Sequence, residues 1–228
     1  MDPLVRNRFD AWIFDLDNTL YSARCDLFAQ IDARMQAFIV AALDVNDAQA
    51  RTLQEDYFHS HGTTLRGLMD HHGIDPETFT DFVHDIDHSV VPPDPGLDSA
   101  LARIDSRKIV FTNGSVAHAE RVLQRLGVSH RFEAIFDIKA AAYVPKPSIA
   151  SYRTFVRQFD LDPRRAIMFD DAARNLEPAA ALGMTTVWIE TDSVYGREGS
   201  DGDHVHQDRK STRLNSSHLG RSRMPSSA

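Results

Sequence analysis

The chain has 228 residues, 42% hydrophobic and 25% charged, with 13 Phe and 2 Trp, enough apolar material for one or two compact domains and too much for a collagen-like, low-complexity or wholly disordered chain. The formal net charge of -8 conceals an acidic body: residues 1–207 carry 20 basic and 32 acidic side chains, whereas 208–228 carry five basic and one acidic. Such a body disfavours a nucleic-acid backbone as partner.

MDPLVRNRFDAW contains no apolar signal segment. Ala11–Phe14 is a short apolar run leading into Asp-Leu-Asp and reads as a buried strand. Cys25 is the single cysteine, so no intrachain disulfide can form. From Asp26 the period becomes helical: Phe28, Ile31, Met35, Phe38, Ile39 and Ala42 define one face. The longest apolar run, Ala37 to Leu43, spans seven residues, against roughly 20 for a membrane crossing. No membrane association is expected, and the expected setting is cytoplasmic. Asn46 with Gln49 opens a second helix to about Phe58, Thr64 to His72 a third, and Asp75-Pro76-Glu77 a fourth. Val91-Pro92-Pro93-Asp94-Pro95 is a stiff connector.

Beyond it strands and helices alternate: helix 97–104, strand Lys108–Phe111, helix 116–126 stopped by Gly127, strand Ala134–Ile138. Helix 148–159, strand Ala166–Phe169, helix 172–182 stopped by Gly183 and strand Thr185–Ile189 follow. The expected fold is α/β, a Rossmann-like open parallel sheet core formed by 1–20 and 92–190, with an α-helical cap, 21–91, inserted after the first strand. Residues 191–228 hold few apolar side chains and no periodicity, and read as a disordered tail. Within it DRKSTRLNSSH, Asp208 to His218, resembles the in-frame translation of a sequencing adapter, so 208–228 is set aside from the functional argument.

In open parallel sheets ligands bind beyond the carboxyl ends of the strands. There this sequence places Asp15, Asp17 and Thr19; Thr112-Asn113-Gly114; Lys146 between two prolines; and Asp170, Asp171 and Asn175. Four carboxylates and one lysine at one sheet edge call for a hard divalent cation, and oxygen donors favour Mg²⁺. Thr112 offers a hydroxyl, Asn113 and Gly114 offer backbone N–H groups at a helix start, and Lys146 adds positive charge. The set suits a phosphate, with a carboxylate free to attack.

These strings, in this order, resemble the four motifs of the haloacid-dehalogenase superfamily of phosphohydrolases. Phe14 to Leu20 is similar to the first, Thr112-Asn113-Gly114 to the second, Lys146 to the third, and Asp170-Asp171 with Asn175 to the fourth. The resemblance implies that Asp15 attacks phosphorus while Asp17 protonates the leaving oxygen and then activates water. It implies Mg²⁺ on the Asp15 carboxylate, the Asp17 carbonyl and Asp171, with Asp170 binding directly or through water and Asn175 behind. FDLDNTLY, CDLFAQIDARM, HGTTLRGL, HDIDHS, PPDP, FTNGS and ARNLEPA together resemble the pyrimidine 5'-nucleotidase family. The implied partner is a small phosphorylated metabolite, a nucleoside monophosphate. A broad metabolite or sugar phosphatase, a phosphomutase, and a silent binding module are the alternatives. The retained Asp17 argues against dehalogenation, because halide leaves without a proton.

Other features have plainer readings. His59, His61, His71, His72, His84 and His88 lack an HExxH or CxxC pattern and read as helix histidines rather than a zinc site. Cys25 reads as a core residue at the cap hinge. Thr63, Thr64 and Arg66, bracketed by Gly62 and Gly67, are where the cap could reach the substrate, so Thr64 and Arg66 join the substrate-binding candidates.

Overall fold

The computed structural model describes residues 8–191, 195–197, 199–205 and 207–210. Its sheet has the order β3-β2-β1-β4-β5-β6, with β1 at Ala11–Phe14, β2 at Arg107–Phe111, β3 at Ala134–Phe136, β4 at Ala166–Asp170, β5 at Thr185–Glu190 and β6 at Gln207–Lys210. Every pairing is parallel. β1 is central and buried throughout, which suits its unbroken apolar run. Phe14 stands opposite Val110 on β2 and Phe169 on β4. The register therefore brings the residues that follow these three strands to one edge.

Side-chain alternation splits the core in two. Trp12, Phe14, Val110 and Phe169 face a cluster completed by α5 (Pro95–Leu101) and α6 (Val116–Leu126). Ala11, Ile13, Ile109, Phe111 and Met168 face the other, completed by α7 (Ile149–Gln158) and α8 (Ala173–Ala181). Glycine ends α6 as expected: Gly127 takes φ 79° at its C-cap.

Between β1 and α5 lie four helices: α1 (Leu27–Leu43), α2 (Asp47–His61), α3 (Thr64–His72) and α4 (Pro76–Val83). Their starts follow the sequence signals. Asn46 and Gln49 form a reciprocal capping box, and the Asp75 carboxylate accepts the Thr78 N–H ahead of Pro76. These helices share a core of Ile31, Phe38, Ile39, Leu65, Leu68, Phe79 and Val83. No described helix is long and apolar enough to cross a membrane.

Three expectations are corrected. The buried stripe of α1 is Leu27, Ile31, Phe38 and Ile39. Phe28 is 41% exposed and Ala42 is exposed, because a face defined at Ile31 and Phe38 continues to Leu27 at i-4 rather than to Phe28. Pro95 does not extend the connector: Asp94 caps it and it opens α5 as the first-turn residue. After β5, Tyr195–Arg197 forms a 3-10 turn and Gln207–Lys210 pairs with β5 as β6, where the sequence reads as disordered. Strand addition at an open edge is carried by backbone groups, so apolar periodicity does not signal it. The first residues of the adapter-like segment, Asp208–Lys210, lie in this strand; 211–228 lie outside the described residues.

Candidate active site

The carboxyl edge of β1, β2 and β4 gathers the predicted residues. The Asp15 N–H donates to the Phe169 carbonyl at 2.8 Å, which ties the turn after β1 to β4. Lys146, 1% exposed, reaches this edge from the β3–α7 loop. Its ammonium donates to Asp15 Oδ1 at 2.8 Å, Asp170 Oδ2 at 2.7 Å and the Phe111 carbonyl at 2.9 Å. All three of its protons are therefore engaged. The other Asp15 oxygen, Oδ2, accepts from the Thr19 hydroxyl at 2.9 Å, and that hydroxyl accepts the Asp171 N–H at 3.1 Å. Asp170 Oδ1 accepts from the Ala172 N–H at 2.9 Å and from Asn175 Nδ2 at 3.0 Å. The backbone carbonyl of Asn175 takes the Tyr152 hydroxyl from α7.

One oxygen each from Asp15, Asp170 and Asp171 lies within 4.8 Å of the others, an oxygen-only donor set that fits a small hard cation. The electrostatics agree. Burial pushes the Asp15 carboxyl up, Lys146 pulls it down, and Asp170 and Asp17 push it up again, leaving it at about 7. Burial, followed by Asp15 and Asp170, pushes Asp171 well above the carboxylate range against the pull of Lys146. Lys146 responds oppositely: burial lowers it, but the two carboxylates outweigh burial and raise it above the ordinary lysine value. The partners differ because one ammonium serves two buried carboxylates while a third stands beside them.

The glycine loop departs from its expected use. The Gly114 N–H donates to Thr112 Oγ1 at 2.9 Å, so it is engaged within the loop. The Asn113 side chain clamps the Lys146 backbone, accepting its N–H at 2.8 Å and donating to its carbonyl at 3.2 Å. The N–H groups of Asp17 and Asn113 make no hydrogen bond among the described residues, and these are the donors the edge leaves for an anion. The cap candidates are not drawn in. The Thr64 hydroxyl donates to the Gln54 carbonyl at 3.1 Å, and Arg66 pairs with Asp70 at 2.7 Å.

Sequence reasoning missed the surroundings of Asp17. Its Oδ1 accepts the Tyr21 hydroxyl at 2.6 Å and lies 2.9 Å from His118 Nε2. Burial raises the Asp17 carboxyl, but His118 and the Tyr21 bond outweigh it and hold the group below the ordinary range. A Cβ at Gly114 would lie 3.3 Å from both the His118 ring and Thr112 Oγ1, so the absence of a side chain there leaves His118 its place. The spacing of Tyr21 four residues after Asp17 was a usable signal; nothing local linked His118 to Asp17. The turn beyond β5 braces the edge too: the Trp188 indole donates to the carbonyls of Asp171 at 2.8 Å and Gly196 at 3.1 Å.

Residues 9–183 match the model of the haloacid dehalogenase-like hydrolases. The chain is 26% identical over 190 residues to phosphate metabolism protein 8 of Saccharomyces cerevisiae, covering 76% of this chain and only 59% of that protein. It is 25% identical over 199 residues to the phosphoglycolate phosphatase of Mesorhizobium japonicum, covering 78% of this chain and 81% of the relative. Among solved structures, CbbY from Rhodobacter sphaeroides in complex with xylulose-(1,5)bisphosphate is similar with a TM-score of 0.63 at 20% identity, over 91% of this chain and 96% of that one.

Proposed function

The chain belongs to the haloacid dehalogenase-like hydrolase family, and from that membership we propose that it is a Mg²⁺-dependent phosphomonoesterase working through an aspartyl-phosphate on Asp15. The observation that carries this reading is the Asp15 carboxylate, held by Lys146 and Thr19 and placed beside Asp170 and Asp171. Asp15 is the nucleophile: it forms a bond to phosphorus as the ester oxygen departs. Asp17 gives that oxygen a proton and later takes one from the attacking water. Lys146 holds the Asp15 carboxylate in place, and the free N–H groups of Asp17 and Asn113 face the phosphoryl oxygens. Asp15, Asp170, Asp171 and the Asp17 carbonyl would hold Mg²⁺, with Asn175 fixing Asp170, and the ion would supply charge neutralisation to the phosphoryl group. Helices α1–α4 serve as the cap that covers the edge.

The substrate we propose is a pyrimidine nucleoside 5'-monophosphate, a reading that rests on the motif resemblance. The alternative is a phosphatase of sugar or small-acid phosphates. It is favoured by the relatives named for such substrates and by the commitment of Thr64 and Arg66 to contacts within the helical layer. The test is phosphate release with and without Mg²⁺ from UMP, CMP, AMP, GMP, phosphoglycolate and sugar phosphates. Preference for UMP and CMP supports the nucleotidase; preference for the acids or sugars replaces it with the alternative. No release from any ester sinks both.

A further inference from the structure

Three histidines stand behind Asp17 and take no part in the metal or phosphate site. His118, in the first turn of α6 and fully buried, places Nε2 2.9 Å from Asp17 Oδ1. Its Nδ1 lies 3.1 Å from His88 Nε2, and His88 Nδ1 lies 3.1 Å from the Ile86 carbonyl. His84 stacks on the His118 ring, centroids 4.5 Å apart and planes at 12°, and its Nδ1 meets Ser115 Oγ at 2.9 Å. His84 and His88 lie on the segment that leaves α4; Ser115 and His118 begin α6.

The direction of the chain follows from its last partner. A carbonyl only accepts, so His88 carries its hydrogen on Nδ1 and, when neutral, offers Nε2 as an acceptor. His118 then donates from Nδ1. Its Nε2 faces Asp17 Oδ1 at 2.9 Å. The Tyr21 hydroxyl donates to the same Oδ1 at 2.6 Å. Oδ1 is therefore held from two sides, whereas Oδ2 takes no hydrogen bond from any described residue and the side chain keeps 18% exposure. One oxygen is anchored and the other faces outward.

We propose that His118 is the positioning residue of the acid–base step: it anchors Asp17 through Oδ1 so that Oδ2 meets the leaving oxygen, and His84 and His88 hold it there from the segment leading out of the helical layer. The inference rests on the phosphatase reading and names what orients its acid. A proton on Oδ2 passes to the ester oxygen as the P–O bond breaks, leaving the carboxylate that His118 and Tyr21 stabilise through Oδ1; the water that attacks the aspartyl-phosphate returns a proton to Oδ2 in the second step. His118 touches neither substrate nor phosphorus. An orientation of this kind matters only when the leaving oxygen needs a proton.

The experiment compares kcat/KM for an alkyl phosphate with that for 2,4-dinitrophenyl phosphate, whose leaving group departs unprotonated, in wild type, His118→Ala and His118→Gln with Mg²⁺ present. The expected result is a fall of at least about tenfold in the alkyl-to-dinitrophenyl ratio for His118→Ala. The Gln amide, which can still donate to Oδ1, should recover part of it. A ratio equal to wild type, whether both rates fall together or neither does, overturns the proposal. Should His118→Ala not fold, His88→Ala keeps the Asp17 contact and removes its support. A smaller fall in the same ratio is then expected, and an unchanged ratio again overturns it. If wild type releases phosphate from neither ester, the phosphatase reading fails; release with an unchanged variant ratio refutes the positioning role alone.

Discussion

Replacing Asp15 by Asn separates what the carboxylate does for the reaction from what it does to the fold. Burial and the neighbouring Asp170 and Asp17, opposed by Lys146, raise its pKa to about 7, above the unfolded value near 3.9. The folded state thus binds this proton more tightly. Its contribution to stability is complete below about pH 4 and is lost as pH rises through about 7. A raise of about three pK units corresponds to about 4 kcal/mol against the folded state at pH 8. The pull of Lys146 is already contained in that value, so exchanging the ionised carboxylate for a neutral amide gives up to about 4 kcal/mol of net stabilisation at pH 8. For a domain of this size that is a rise in Tm of up to about 8–16 °C, read by thermal unfolding in chelator at pH 8 and vanishing near pH 4. Turnover should fall by about 10⁴-fold or more, as expected for a lost nucleophile. Added Mg²⁺ should raise the wild-type Tm and narrow the gap, since it binds only the folded state. A variant less stable than wild type at pH 8 in chelator would refute the reasoning: Lys146 would then more than neutralise its carboxylates.

Lys146→Met should destabilise the metal-free protein by about 3–5 kcal/mol in urea titrations, because it leaves Asp15 and Asp170 buried without their cation; a change under about 1 kcal/mol would mean the ammonium is not what holds the edge together. His84 is lowered to about 3, by burial first and by the His118 charge second. Its folded value lies below the unfolded one, so stability is present above about pH 6.5 and declines as pH falls toward 3, by up to about 1.4 kcal/mol per pH unit. His84→Gln should flatten the decline of Tm between pH 6.5 and 4.5, and an unaltered slope would count against a buried neutral His84. A Cβ at Gly67 would lie 2.2 Å from the Tyr57 ring, so Gly67→Ala should force α2 and α3 apart and cost about 1–3 kcal/mol by calorimetry. An unchanged Tm would show that Tyr57 simply turns aside.

What could be read from sequence and what could not follow one physical division. Elements set by local chemistry were legible: the Asn46–Gln49 capping box, Pro76 after Asp75, and the glycine stop of α6 all act within a few residues. Asp15, Asp170 and Lys146 were also legible, because Asp15 follows β1, Asp170 ends β4, Lys146 lies in the loop after β3, and parallel register carries these strand ends to one edge. Long-range pairings without a local mark stayed hidden. Asn113 reads in sequence as a backbone N–H donor; that its side chain clamps the Lys146 backbone had no local mark. His118 lies 101 positions from Asp17 and reads locally as one polar residue in an amphipathic helix. Gln207–Lys210 pairs with β5, and edge pairing of backbone groups leaves no apolar pattern to detect.

Whether a hydrolase of this family cleaves a carbon–halogen or a phosphate-ester bond turns on who supplies a proton. A halide departs as a stable anion, whereas an alkoxide leaving phosphorus is a strong base and must be protonated as it goes. A nucleophilic carboxylate such as Asp15 serves either reaction, so the Lys146–Asp15 pair does not decide between them. Asp17 does. Its carboxyl is anchored at one oxygen by Tyr21 and His118 and faces outward with the other. His118 is buried behind it, backed by His88 and stacked on His84. Halide displacement would give this buried assembly no task, while burying polar groups that must all be hydrogen-bonded to be tolerated. Protonating an ester oxygen uses each part of it: an outward-facing oxygen and a rotamer fixed from behind. The arrangement around Asp17 is therefore what favours the phosphate ester.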